Sequence, residues 1–309
     1  MNTLTDAVPD SIPQARASTA APTAPVRPLY WSLRRELWEN RALYIAPLIV
    51  AALVLFGFFV GVGHITSDVN RIQIDPDKRQ AVTAIPYAMA AIAIMVTGFV
   101  VAAFYCLGAL HNERRDRSIL FWKSMPVSDL KTVLVKASVP LLVVPVILFA
   151  VIFAVQLVML AVSAMVLLPS GVRFATLWTQ WPIFRMSVVL AYGLMTETLW
   201  YAPIWGWLLV VSAWARRAPF LWARLPPIGV IIIELFAFGS GHFAHFLGQR
   251  LGGGLDAAFS DTGSHQAMVD MAQIDPARFF GSLDVWGGLV VGAGFLAAAV
   301  WLRRTRDPV

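Results

Sequence analysis

Residues 133–168 read VLVKASVPLLVVPVILFAVIFAVQLVMLAVSAMVLL, a stretch whose one charged side chain is Lys136. About 20 apolar residues suffice to cross a ~30 Å hydrocarbon layer as a helix, so this run is read as a membrane span. The bilayer offers no water to its backbone, which therefore has to bond to itself as a helix. At 1.5 Å per residue the run exceeds a minimal crossing. It has to tilt, protrude or bend near Pro140 and Pro145.

Five further apolar runs lie on either side, at about 43–63, 84–110, 187–214, 227–247 and 284–302. Gly239, Ser240, Gly241, His242 and His245 interrupt the second half of the fifth span, 227–247. The expected class is all-α, a polytopic membrane protein of six transmembrane helices. Hydrophobic residues make up 58% of the chain, charged residues 14%, and the mean hydropathy is +0.69. A soluble domain carries about 25% charged residues. The formal net charge of +6 clusters at span ends, which points to membrane orientation and away from nucleic acid.

Orientation follows from the basic residues. The N-terminal segment, 111–136, 215–226 and the C-terminal segment together hold 17 of the 24 Lys and Arg; the alternate segments hold 7. The excess of positive charge marks the cytosolic side, so both termini are expected inside. Residues 1–28, rich in Pro, Ala, Ser and Thr, are expected to be a disordered cytosolic tail. They contain no apolar core of the kind a secretory signal needs. Residues 29–309 then form the membrane domain. From Pro28 to Tyr44, Leu29, Leu33, Leu37 and Trp38 recur at helical spacing, with Arg34, Arg35, Glu36 and Glu39 on the remaining surface. This pattern predicts an amphipathic helix lying in the membrane interface before the first span.

The loop 111–136, HNERRDRSILFWKSMPVSDLKTVLVK, carries six Lys and Arg. Glu113 to Trp122 is expected to form a short cytosolic helix. Its charged part holds Glu113, Arg114, Arg115, Asp116 and Arg117, and its apolar part Ile119, Leu120, Phe121 and Trp122. Pro126 ends it, and Ser128 or Asp129 caps the helix that follows. Four large apolar side chains in a charged loop need a covering surface: lipid, the chain's own bundle, or another protein.

No phosphate-binding GxxxxGK[ST] or GxGxxG motif occurs, so nucleotide hydrolysis by this chain finds no support. HExxH, CxxC and GxSxG are absent as well. Cys106, the single cysteine, is read as a small buried apolar residue. Glu197 and Glu234 lie inside apolar runs, where a charge costs at least ~2.5 kcal/mol and so faces a bundle interior or an aqueous cavity. They are candidate members of a translocation path, of a proton-linked site, or of the bundle's internal packing. His242 and His245 share a helical face, and with Asp256, Asp261 or His265 they would approach a metal-ligand set. Gly57-x-x-x-Gly61 and Gly288-x-x-x-Gly292 allow helices to approach closely. The tryptophans from Trp178 to Trp222 fall mostly near span ends, as an aromatic belt does.

The segment ERRDRSILFWKSMPVSDLKTVLVK resembles the first cytosolic loop of permease subunits of type-2 ATP-binding cassette (ABC) exporters, with Glu113, Arg114, Arg117, Ile119, Leu120, Ser124, Pro126, Val127 and Ser128 matching its pattern. The segment from Trp200 to Pro227, WYAPIWGWLLVVSAWARRAPFLWARLPP, is similar to a bacterial branch of those permeases. The resemblance implies that 111–132 is a coupling loop, docking through Glu113, Arg114, Arg115, Arg117, Ile119, Leu120, Phe121, Trp122 and Pro126 on a separate cytosolic ATPase. ATP and magnesium would then sit on that partner, and this chain would bind no cofactor and catalyse no reaction. It also implies pairing with a second copy or a paralogue, in the cytoplasmic membrane of a bacterium. Two competing readings stand beside it: a proton-coupled secondary transporter using Glu197 and Glu234, and a membrane-embedded enzyme or assembly factor.

Overall fold

The computed structural model describes residues 28–71, 76–116, 128–167, 183–252, 254–258 and 274–305, and among these every regular element is a helix. Pro28–Glu39 forms α1, opened by a proline whose missing N–H costs nothing at a helix start. The Asn40 side chain donates to the Glu36 carbonyl at 2.9 Å and closes α1. Ala42–Arg71 is α2 and Pro76–Ala109 is α3. The short α4, His111–Arg115, ends at Asp116. Beyond the loop, Ser128 caps α5, Asp129–Ser138, by accepting the Lys131 N–H, as its residue type predicts.

The long apolar run is continuous but not uniform. Between α5 and α6 (Val144–Leu167), residues Val139–Val143 wind as a π-helix around Pro140. Proline removes one N–H from the ladder, and the wider turn absorbs the defect. Of the two prolines named as places for a bend, Pro140 lies in this π-turn and Pro145 in the first turn of α6.

The fourth expected span, 187–214, is two helices: α7, Ile183–Trp200, and α8, Ala202–Trp214. Tyr201 joins them; its N–H donates to the Glu197 carbonyl and its own carbonyl accepts the Trp205 N–H. Pro203 at the start of α8 supplies the physical reason for the interruption. The fifth, expected over 227–247, runs instead from Pro219 to Phe238 as α9. It contains Pro226 and Pro227, and the Ala223 carbonyl that Pro227 leaves without a backbone donor accepts the Trp207 indole N–H at 3.1 Å. It stops where Gly239 takes a left-handed φ of 62°, the common helix-ending conformation. The second half of that expected span is a separate helix, α10, His242–Gly252. Then come α11 (Gly254–Ala258), α12 (Pro276–Gly281) and α13 (Leu283–Thr305).

Five stretches are long and apolar enough to cross a membrane: Ala42–Gly61, Ile85–Arg115, Asp129–Val166, Pro219–Phe238 and Leu283–Thr305. The core lies between the inward sides of α3, α6, α7 and α8. Ile94, Leu148, Ile152, Met159, Leu194 and Leu209 are fully enclosed. Leu148 of α6 fills the notch that Gly98 leaves in α3; a Cβ there would collide with its methyl carbons. Outward sides are apolar too, with Phe56, Val60, Ile233 and Phe236 exposed, as lipid-facing helices require.

The small-residue motifs divide. Gly292 of α13 lies against the Ala202 and Pro203 backbone, and Gly206 of α8 lies against the Gly292 carbonyl. Only hydrogen at these positions lets α8 and α13 approach so closely. Gly57 and Gly61 of α2 face open space and make no helix contact.

Candidate functional site: a buried ionic cluster

At one end of the bundle, five charged side chains from four helices alternate in sign. Lys136, in the last turn of α5, is 3% exposed, and its Nζ lies 2.7 Å from Glu36 Oε1 and 3.0 Å from Glu113 Oε1. Arg303 of α13 is equally enclosed; its Nη1 reaches Glu113 Oε2 at 2.6 Å and its Nε reaches Asp129 Oδ1 at 2.9 Å. The Tyr105 hydroxyl of α3 donates to Glu36 Oε2 at 2.9 Å. The order is Glu36, Lys136, Glu113, Arg303, Asp129, so each cation bridges two carboxylates. Isolated, any of these charges would cost several kcal/mol to bury; alternation and hydrogen bonding offset that cost. Glu113 stands at the centre, with Lys136 on one carboxylate oxygen and Arg303 on the other.

A second set of contacts locks α4 to the end of α8. The Leu110 and His111 N–H groups, which lack helical partners, both donate to Ser212 Oγ at 3.0 Å. His111 Nδ1 meets the Ala215 carbonyl at 3.1 Å, and Arg114 Nη1 donates to the Ala213 carbonyl at 2.6 Å. The last carbonyls of α8 are thus taken by two groups of α4. Arg114 is buried in this joint. Arg115 is exposed and pairs with its neighbour Asp116 at 3.3 Å. Arg117, Ile119, Leu120, Phe121, Trp122 and Pro126 lie outside the described residues, as does the apolar half of the expected helix Glu113–Trp122. Glu113, before residues 117–127, and Asp129, after them, both belong to the cluster.

The other candidates stand in the last turn of α7, Glu197, and in α9, Glu234. Glu197 is buried, its carboxylate packed against Gly254, where a Cβ would stand 2.6 Å from Oε2. One turn on, the Tyr201 hydroxyl donates to the Leu251 carbonyl at 2.8 Å. The Trp200 indole donates to the Arg250 carbonyl at 3.0 Å, and the Arg250 guanidinium lies 4.3 Å from the Trp200 ring centre. Arg250 also donates to the Asp284 carbonyl and packs on Gly288. Burial lowers the Arg250 pKa, while the charge of Asp284 opposes that shift. Glu234 has a different role. Its carboxylate accepts the Ser240 hydroxyl and the N–H groups of His242 and Phe243 at 2.8–2.9 Å, capping α10 from the end of α9. The two glutamates therefore serve different helix junctions. His242 is 89% exposed, and among the described residues no three His, Cys, Asp or Glu gather as metal ligands.

Glu36, Asp129, Lys136 and Arg303 are the members of the cluster that reading the sequence misses, Asp129 being read there only as a candidate helix cap. Glu36 reads as solvated surface of α1, yet it is buried. Lys136 offered a signal, as the one charge in the apolar run 133–168. Comparison with protein families, with characterised proteins and with solved structures gives no match to this chain.

Proposed function

We propose that this chain is the membrane-spanning permease subunit of an ABC exporter, in a bacterial cytoplasmic membrane, driven by a separate cytosolic ATPase. On this reading six spans run with both termini inside, α7 and α8 together making the fourth, and α1 lies along the membrane surface. Two permeases, identical or paralogous, pair to enclose the path.

The observation that carries the proposal is the ionic cluster at the base of the 117–127 loop. A loop that works as a lever needs stiff attachment at both ends. Glu113 before it and Asp129 after it are joined through Arg303, and Lys136 ties the same joint to α1. Force applied to the loop would reach α1, α5 and α13 together, because moving any one of them separates buried opposite charges. The loop sequence supplies the surface for the partner, and the lack of a phosphate-binding motif in this chain agrees with hydrolysis elsewhere.

The test is co-purification with the ATPase encoded nearest to this chain, followed by its hydrolysis rate in liposomes. Reversing Arg115 and Arg117 to glutamate, or Trp122→Asp, should abolish stimulation of hydrolysis while the chain still inserts. Transport by the chain alone, driven by a pH gradient and lost in Glu197→Gln, would overturn the proposal in favour of a proton-coupled carrier.

A further inference from the structure

Two faces of α1 have opposite chemistry. Glu36 points inward to Lys136 and Tyr105, and Leu33 and Leu37 pack on the core. About 200° round the helix from Glu36, the outward face carries Trp31, Arg34 and Trp38 at spacings of three and four residues. The Arg34 guanidinium lies 5.4 Å from the Trp31 ring centre and 4.9 Å from that of Trp38, within cation–π range of both. Trp31 and Trp38 are 56% and 66% exposed, and Tyr30 beside them is 56% exposed. Arg41, at the junction with α2, is exposed as well. A cation held between two exposed indoles has its position fixed while its N–H edge stays open.

We infer that the Trp31–Arg34–Trp38 face of α1 is a receptor for the headgroup of an anionic phospholipid. The occupant follows from position and charge. Only Asn40 and Arg41 separate α1 from the apolar helix α2, so this face meets the bilayer at headgroup depth. Indoles settle at that depth, and Arg34 and Arg41 complement a negative surface. Arg34 would donate to the phosphate while the indoles exclude water around it. Through Glu36 on the other face, an occupied headgroup would hold α1 against Lys136 and so steady the ionic cluster. This inference rests on α1 lying at the membrane surface; it does not need an ATPase partner.

The experiment uses the full chain in nanodiscs. Cys106 is fully buried, so a nitroxide placed at Tyr30→Cys reports α1 alone. The label's mobility and oxygen accessibility are followed as phosphatidylglycerol replaces phosphatidylcholine. Label immobilisation should rise with the anionic fraction and saturate. Arg34→Gln should raise the fraction needed about fivefold, the factor that corresponds to ~1 kcal/mol for one basic residue at the surface. Trp31→Leu should raise it too, and Arg304→Gln should leave it unchanged. No dependence on anionic lipid, an unchanged response in both Arg34→Gln and Trp31→Leu, or the same immobilisation by inorganic phosphate in phosphatidylcholine discs would each overturn the inference. A label inaccessible to oxygen in every lipid would overturn instead the surface placement of α1. No stimulation of the ATPase by the unsubstituted chain, with the lipid response intact, would count against the permease reading alone.

Discussion

Lys136 shows how much one side chain can hold. It touches two carboxylates at 2.7 and 3.0 Å with almost no water access. Lys136→Met keeps the length and apolar stem of the side chain but leaves Glu36 and Glu113 without that cation. Breaking a buried pair from one side costs about 3–5 kcal/mol, because the abandoned charge stays desolvated. Thermal unfolding in detergent should show that loss. Adding Glu36→Gln to Lys136→Met should recover part of it, and a second substitution that only adds its own cost would contradict the pairing. Glycine positions give a second contrast at this scale. Gly206→Ala places a Cβ 2.9 Å from the Gly292 carbonyl oxygen, a backbone atom that cannot step aside. Overpacking of this kind costs about 1–3 kcal/mol. Gly57→Ala and Gly61→Ala meet nothing within 4 Å and should leave the melting temperature unchanged or slightly higher.

Among the elements, α10 is a short helix whose first turn is satisfied from outside itself. Glu234 takes two of its N–H groups and the Ser240 hydroxyl. Glu234→Gln retains an oxygen acceptor but loses the negative charge favoured at a helix N-terminus. Hydrogen exchange at His242 and Phe243 should quicken, with the core of α6 unaffected; unchanged exchange would show that the cap is dispensable. The same region shows why helix limits were only partly legible in sequence. Pro226-Pro227 reads as a boundary, yet α9 runs through it; the Ala223 carbonyl, which Pro227 leaves without a backbone donor, accepts the Trp207 indole N–H at 3.1 Å. Gly239 and Pro203 are the true punctuation, the first by its left-handed backbone and the second by its missing N–H. Apolar runs were legible because a bilayer imposes length and composition on every crossing. The ionic cluster was not, because its pairs join residues up to 190 positions apart. No local pattern distinguishes Glu36, which is buried, from Glu39, which stays in water.

For the molecule as a whole, charge distribution and packing agree. The basic segments on which the proposed orientation rests include the cluster's own Lys136 and Arg303, so on that proposal the residues that choose a side of the membrane also fasten that end of the bundle. Cysteines placed at Arg115 and at Ser240 should react from opposite faces of right-side-out vesicles, Arg115→Cys only after permeabilisation. Reaction of both from one face would overturn the orientation.

Arg303 belongs to the last helix described, while its carboxylate partners Glu113 and Asp129 flank a loop nearer the start. During synthesis those acids leave the ribosome long before their guanidinium exists. The helices that carry them must therefore wait, incompletely neutralised, until α13 has been made. Nascent chains halted before α13 should be favoured prey for membrane proteases, and Arg303→Leu in an otherwise full-length product should shorten its cellular half-life in the same way.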